Sequence, residues 1–330
     1  MRGRHREQQK GKEMLRAMDS AVAGLRAHQN KLDVIGHNIA NVNTFGFKSQ
    51  MYSFQEAMYQ TTNSSTGGTS SAGGTNAAQF GYGALMGTIA TDMTASTPTY
   101  VGGLNASING DGFFITYAKN DLGNTTATDI PTLMKSIDFD YTRVGQFKLD
   151  SNGYLVDGNG RFVYGFQKDK PNGTTDTFKT DALVALRAPA SDTAYANSPS
   201  DAVVELIDIQ INKLGEITAT IKDPTANSKM DGKVISLGKL AIATFQNPEG
   251  MTKKGQYYYG ATNGDNTGKC SATIPGGSTA DLMSGYLEAS NVDLAQQFSD
   301  MITTQRGFQA NSKLITVSDE ILNELVNMKR

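Results

Sequence analysis

LAQQFSDMITTQRGFQANSKLITVSDEILNELVNMKR, residues 294–330, places Leu294, Phe298, Met301, Phe308, Ile315 and Leu322 at steps of three, four or seven, the repeat of one helical face. A second row, Leu314, Val317, Ile321, Leu325 and Met328, widens that face toward the end. Ser290-Asn291-Val292-Asp293 supplies N-cap side chains just upstream, and residues 290–330 hold no proline and one glycine. The spacing predicts a helix of about 35 residues, about 50 Å long at about 1.5 Å per residue. A stripe of that length needs another long helix against it.

The comparable segment lies at the other end of the chain. Leu15, Met18, Val22, Leu25 and Leu32 step by three, four, three and seven, and Ile35, Ile39 and Val42 continue in a slightly rotated register. Two amphipathic ends around a glycine-rich middle predict an α+β fold. The chain is expected to be elongated and multi-domain, with N- and C-terminal helices paired in a coiled-coil-like inner domain and antiparallel all-β domains nested between them. Periodicity alone fits a hairpin within one chain and a bundle between chains equally.

Composition narrows the function. With 330 residues and 38% apolar content, several modest domains fit better than one large core. A net charge of −2 lacks the basic footprint of a nucleic-acid binder. Cys270 is the single cysteine, so neither a disulfide framework nor a cysteine-rich metal site is available, and it reads as a solitary loop thiol. No run reaches the length of a membrane span, and no apolar signal core follows the basic start. Export, if it occurs, is expected without a cleaved signal peptide, and membrane insertion is not expected.

In chain order, residues 1–13 (MRGRHREQQKGKE) are charged and without periodicity, and read as a disordered leader ahead of Met14. Residues 14–45 with 282–330 form the terminal helical domain. Residues 46–85 with 262–281 read as extended connecting segments, the run 61–79 having no apolar side chain larger than alanine, so that it is flexible or borrows order from its neighbours. Residues 86–166 with 234–261 read as a β domain, with tight turns at Ser151-Asn152-Gly153 and Asp157-Gly158-Asn159-Gly160. Residues 167–233, holding four of the eight prolines, read as a smaller inserted outer β domain.

Catalytic chemistry finds little support. Gly81-Tyr82-Gly83-Ala84-Leu85-Met86-Gly87 has the wrong glycine spacing and no βαβ context for a dinucleotide loop. The loop from Asp150 carries Arg161 where a calcium-binding loop needs a glutamate. His5, His28 and His37 are the only histidines, and the spacing of nine from His28 to His37 does not suit shared ligation on a helix. The carboxylates Asp138 and Asp140 carry no mark of a pocket. The reading is therefore no enzyme, no cofactor and no metal. What remains is assembly: a leftover apolar face that meets a different patch on the next copy propagates into a helical filament.

The motifs then add a resemblance. DVIGHNIANVNTFGFK (33–48) resembles the signature of bacterial flagellar axial proteins, the rod and hook components, and LEASNVDL (287–294) with QRGFQANS (305–312) is similar to their C-terminal helix. The likeness also takes in 110–114, 141–164 and 237–250, most of the chain outside the insertion. Within the family it leans to the hook branch, through 292–295, 307–310, 325–330 and the inserted segment. It departs in having His37 where asparagine is usual, in the leader, and in an insertion short for a hook subunit, which keeps a distal rod protein as the alternative.

The resemblance implies a hook subunit exported unfolded by the flagellar type III apparatus, polymerising with itself under a cap into a tubular flexible universal joint between rod and filament. Rod, hook cap and hook–filament junction proteins are the implied partners, and the extracellular hook and basal body the implied location. A secreted adhesin or binding module is the competing class. The assembly interface is expected at Leu15, Met18, Val22, Leu25, Leu32, Ile39, Leu294, Phe298, Met301, Phe308, Ile315 and Leu322. The family motif carries over onto Asn38, Asn41, Asn43, Thr44, Gly46, Phe47, Lys48, Gln305 and Arg306 as a packing element.

Overall fold

The computed structural model describes residues 2–69, 73–120, 130–168, 171, 178–191, 195, 203–222, 232–276 and 279–327, with the side chains of 2–15 and 325 outside that description. The elements run α1 (Arg2–Ala40), β1 (Gln50–Glu56), β2 (Tyr59–Asn63), β3 (Ala78–Gly81), β4 (Ala84–Thr91), β5 (Pro98–Tyr100), β6 (Ala106–Asn109), β7 (Phe113–Tyr117), α2 (Ile130–Ser136), β8 (Asp140–Thr142), β9 (Phe147–Leu149), β10 (Leu155–Asp157) and β11 (Phe162–Phe166). They continue β12 (Val184–Ala185), β13 (Glu205–Ile211), β14 (Glu216–Lys222), β15 (Val234–Leu240), β16 (Ile242–Phe245), β17 (Thr252–Gly255), β18 (Tyr258–Gly260), β19 (Cys270–Thr273), β20 (Asp281–Ser284), β21 (Tyr286–Glu288) and α3 (Leu294–Asn327). The fold is α+β with antiparallel strand pairing throughout the described ladders.

Two compact units result. The first comprises Met1–Val42, Ser49–Asp92 and Val292–Arg330, and the second Asn43–Lys48 and Met93–Asn291. In the first, α1 and α3 lie against each other, and α1 also carries a two-stranded ribbon in which β1 pairs with β4 and β2 with β3. The Asp293 carboxylate caps α3, accepting hydrogen bonds from the N–H groups of Ala295 (2.9 Å) and Gln296 (3.3 Å).

In the second unit the strand path β13-β14-β15-β11-β7-β8-β18-β17 forms one large sheet, joined by β9, β10, β12, β16 and β19. Alternating side chains feed two cores. Phe113, Ile115, Tyr164 and Val156 enter one cluster, and their chain neighbours Phe114, Val163 and Leu155 the other. Both expected turns are present: Gly153 N–H donates to Asp150 O at 2.9 Å and Gly160 N–H to Asp157 O at 3.1 Å, each glycine at positive φ.

Several boundaries differ from expectation. The helix begins at Arg2, so the segment expected as a disordered leader continues α1; its Arg, Glu, Gln and Lys are good helix formers. The described residues of 61–79 borrow order from cross-strand pairing, ending in a Thr66–Thr75 bridge whose hydroxyls lie 2.7 Å apart. Residues 262–281, expected as connecting segments, contribute β19 to the large sheet beside β16, and Cys270 opens that strand as a buried residue rather than a loop thiol. The insertion 167–233 contributes β12, β13 and β14, whose hydrogen bonds run through β11 and β15 into the same sheet, because its edge groups find partners there. The last residues of the expected C-terminal helix, 328–330, lie outside the described residues.

Candidate assembly surfaces and the motif joint

The helix pair is defined by three contacts. Asn38 Nδ2 donates to Gln297 Oε1 at 3.2 Å, a β-carbon built on Gly307 would lie 2.7 Å from the His28 ring, and one on Gly24 would lie 2.8 Å from Asn311 Nδ2. Partners fall from 38 through 28 to 24 on α1 as they rise from 297 through 307 to 311 on α3, so the helices are antiparallel in a single register.

The facing residues are small or polar apart from Ile35, which is buried. Ala21, Gly24, His28, Lys31, Ile35 and Asn38 on α1, and Gln297, Asp300, Thr304, Gly307, Asn311 and Ser318 on α3, repeat at three, four or seven and are all buried or half-buried. The hydroxyls of Thr304 and Ser318 are satisfied within their own helix, by Asp300 O at 2.6 Å and Leu314 O at 2.8 Å. This seam lets the backbones approach closely but buries little apolar area.

The large apolar side chains sit one position further on. Met18, Val22, Leu25, Leu32 and Ile39, and Phe298, Met301, Phe308, Ile315 and Leu322, each follow the three-and-four repeat of the seam by one residue, a turn of about 100°. In an antiparallel pair the two-fold relating the helices runs perpendicular to their common plane, so equal offsets fall on the same side. The two stripes therefore merge into one apolar face. None of their described members is buried: Val22 is 38% exposed, Leu294 39%, Phe298 50% and Phe308 37%, with the rest half-buried. The side chain of Leu15 is outside the described set.

The opposite offset on α1 is occupied. A β-carbon on Gly83 would lie 2.9 Å from Ser20 O and 3.3 Å from Ala23 Cβ, Arg16 stacks over Phe80, and Ala27 and Val34 are buried. The ribbon thus covers the residues preceding the seam and leaves those following it open. Between residues 50 and 91 Glu56 is the single charged residue and no proline occurs, while Met58 is 81% and Met51 62% exposed. Free strand edges are ordinarily guarded by charge or proline, and these are not.

The motif residues divide between the units. In the first, Asn38 is 1% exposed and grips the Gln50 peptide, donating to its carbonyl at 2.8 Å and accepting from its N–H at 2.9 Å. Asn41 Nδ2 donates to His37 O at 2.9 Å, closing the helix end, whereas Gln305 and Arg306 are exposed on α3. In the second, residues 43–48 meet β21 and the segment after it. Gly46 N–H donates to Glu288 O at 2.8 Å and Asn291 N–H to Phe47 O at 3.4 Å, and Thr44 O accepts from Phe47 N–H at 3.3 Å, with Asn43 exposed. Gly46 has φ +67°, and a β-carbon there would lie 2.6 Å from Val144 Cγ2.

At this joint lies a buried ion triad that sequence reasoning missed. Lys48 Nζ donates to Glu288 Oε1 at 2.7 Å and Arg143 Nε to Glu288 Oε2 at 2.8 Å, with all three side chains no more than 2% exposed. The surplus cation is balanced by carbonyls: Thr94 O receives Lys48 at 2.6 Å, and Gly110 O and Gly112 O receive Arg143 at 2.8 and 2.6 Å. Burial alone would raise the Glu288 carboxyl, but Arg143 and Lys48 outweigh it and hold the group below its ordinary value. Lys48 and Glu288 both stand in quoted motifs, yet 240 positions separate them and Arg143 carries no local signal.

Comparison with known proteins follows the same two ends. The family model described as flagellar basal body rod FlgEFG protein C-terminal matches residues 283–328, and the flagella basal body rod protein model matches 18–48. The Bacillus subtilis flagellar basal-body rod protein FlgG is 37% identical over 96% of the chain and its own whole length. The Borreliella burgdorferi flagellar hook protein FlgE is 27% identical, and the FlgG of the same organism 30% identical, each over 96% of the chain and the whole of the relative.

Proposed function

The chain belongs to the flagellar basal-body rod and hook protein family, and from that premise we propose that it is a structural subunit which polymerises with copies of itself into the axial tube of the flagellum. The observation carrying this reading is the merged apolar face of α1 and α3. Mostly small and polar residues, with Ile35, pair the helices, and the large residues of the following rows, Leu25 and Phe308 among them, are half-buried or exposed. Sister copies cover that face in the polymer, which is what the family's terminal helices are for in this reading, and the predicted interface residues other than Leu15 are assigned to it. The ribbon, with Glu56 as its single charged residue, supplies a second surface of the same kind.

Two finer placements are supported by different features. The distal rod is favoured by length, since FlgG from Bacillus subtilis aligns over 318 positions while the FlgE relative needs 459 to span the same share of this chain. The hook, a flexible universal joint, is favoured by the motifs at 292–295 and 307–310 and by the inserted segment 167–233. Export through the flagellar type III apparatus, and contact with rod, cap and junction proteins, belong to either. Electron microscopy of the concentrated protein tests the common claim: tubes or short rods are expected, and particles that stay single contradict it. Gene replacement then separates the placements, because a rod subunit restores motility to a strain lacking its rod gene and a hook subunit to one lacking its hook gene.

A further inference from the structure

The contacts between α1 and α3 are reciprocal. On α1, Gly24 is followed four residues later by His28; on α3, Gly307 is followed four residues later by Asn311. Each glycine receives the polar side chain of the other helix: Gly24 lies under Asn311, and Gly307 under His28, whose Cε1 and Nε2 would stand 2.7 and 2.8 Å from an added β-carbon. The imidazole is also held edge-on to Phe54 of β1, with ring centroids 5.3 Å apart.

We propose that these four residues form a register lock, two notches and two knobs that admit one alignment of the terminal helices, and that protonation of His28 releases it. Apart from Ile35, the neighbouring seam positions are small or polar and would tolerate sliding by a turn. A slip of three or four residues on either helix replaces a notch with a side chain and brings the His28 ring against a β-carbon. The two halves are unequal: the Asn311 amide ends a flexible side chain and can swing aside, whereas the imidazole is wedged between Gly307 and Phe54.

The proton acts through the same wedge. Nδ1 of His28 is buried without a hydrogen-bond partner. Lys31 of its own helix is the charged group acting on it, while α3 presents Gly307 and the ribbon presents the Phe54 ring, neither of which titrates. Burial, and then Lys31, hold the imidazole below the ordinary value of 6.5. A histidine lowered in this way is kept neutral by the fold, so the seam is at full strength above pH 6.5 and weakens as the pH falls through that value.

The test measures pelleting of polymer from the full-length chain at about pH 7.5 and about pH 5.5, on either side of that value. Gly307→Ala is expected to lower pelleting at least about tenfold, and adding His28→Ala to restore it, because the knob is removed with its notch. Gly307→Ala with Asn311→Ala, a mismatched pair, is expected to stay low. Wild-type pelleting falls in acid, whereas the His28→Ala, Gly307→Ala pair gives the same yield at both pH values. A Gly307→Ala chain that pellets like wild type, a double variant no better than the single, or a mismatched pair that recovers equally well would overturn the lock. The readout rests on the proposed assembly: if wild type never pellets, that reading fails, and the same variants and pH values are then judged on the far-ultraviolet helical signal of the monomer.

Discussion

Glu288 shows what a single residue does here. It is 1% exposed between Lys48 and Arg143, and its removal leaves two buried cations without their shared carboxylate. Glu288→Ala is expected to destabilise the second unit by about 3–5 kcal/mol, read by chemical denaturation. The carboxyl is held below 4.5, so its contribution is complete above that value and lost as the pH falls through the lowered one. An acid titration of wild type should therefore show an added loss of stability below about pH 4.5 that Glu288→Gln lacks. At Gly46, alanine would take a φ of +67° and meet Val144, a penalty of about 1–2 kcal/mol before the clash is counted. Leu25→Asp or Phe308→Asp acts differently: each puts a carboxylate on the open apolar face, where it costs little in the monomer and several kcal/mol once covered. Polymer yield by sedimentation should collapse while the second unit melts as in wild type.

Among the elements, α1 divides its surface three ways: one row to α3, the preceding row to the ribbon, and the following row left half-buried to exposed. The apolar rows were legible in the sequence because large aliphatic side chains at helical spacing stand out. Apart from Ile35 the seam was not, since alanine, glycine, threonine, serine and asparagine give no signal of burial until two backbones come close. The ribbon was hidden for a related reason: threonine and glycine in 61–79 have no apolar period, and the order of that run's described residues comes from pairing of its own two ends, Thr61 with Gln79 and Asn63 with Ala78. Asn38 ties the ribbon's first residue to both helices, so Asn38→Ala should fray β1 at Gln50, with faster amide exchange there and about 1–3 kcal/mol lost from the unit. A seam of small residues also leaves the helices marginal by themselves. Helix content by circular dichroism is expected to rise when monomer assembles, and equal content in both states would count against a seam that needs its outer face covered.

At the scale of the whole molecule, the nested order of the chain, helix, β and helix, was legible because periodicity of 3.6 gives way to periodicity of two and returns. The joining of 167–233 and 262–281 to one sheet was not, because strand neighbours that distant leave no mark on local pattern. The triad escaped for the same reason, its three members lying on three separate stretches. The account stands on one arrangement: a helix pair held by small residues that turns its large apolar side chains toward sister copies. Helical reconstruction of the assembled polymer by electron cryomicroscopy tests it most directly. The account predicts Leu25 and Phe308 enclosed by neighbouring subunits, with α1 and α3 in the register set by Asn38 and Gln297; a polymer in which that face looks onto solvent would contradict it.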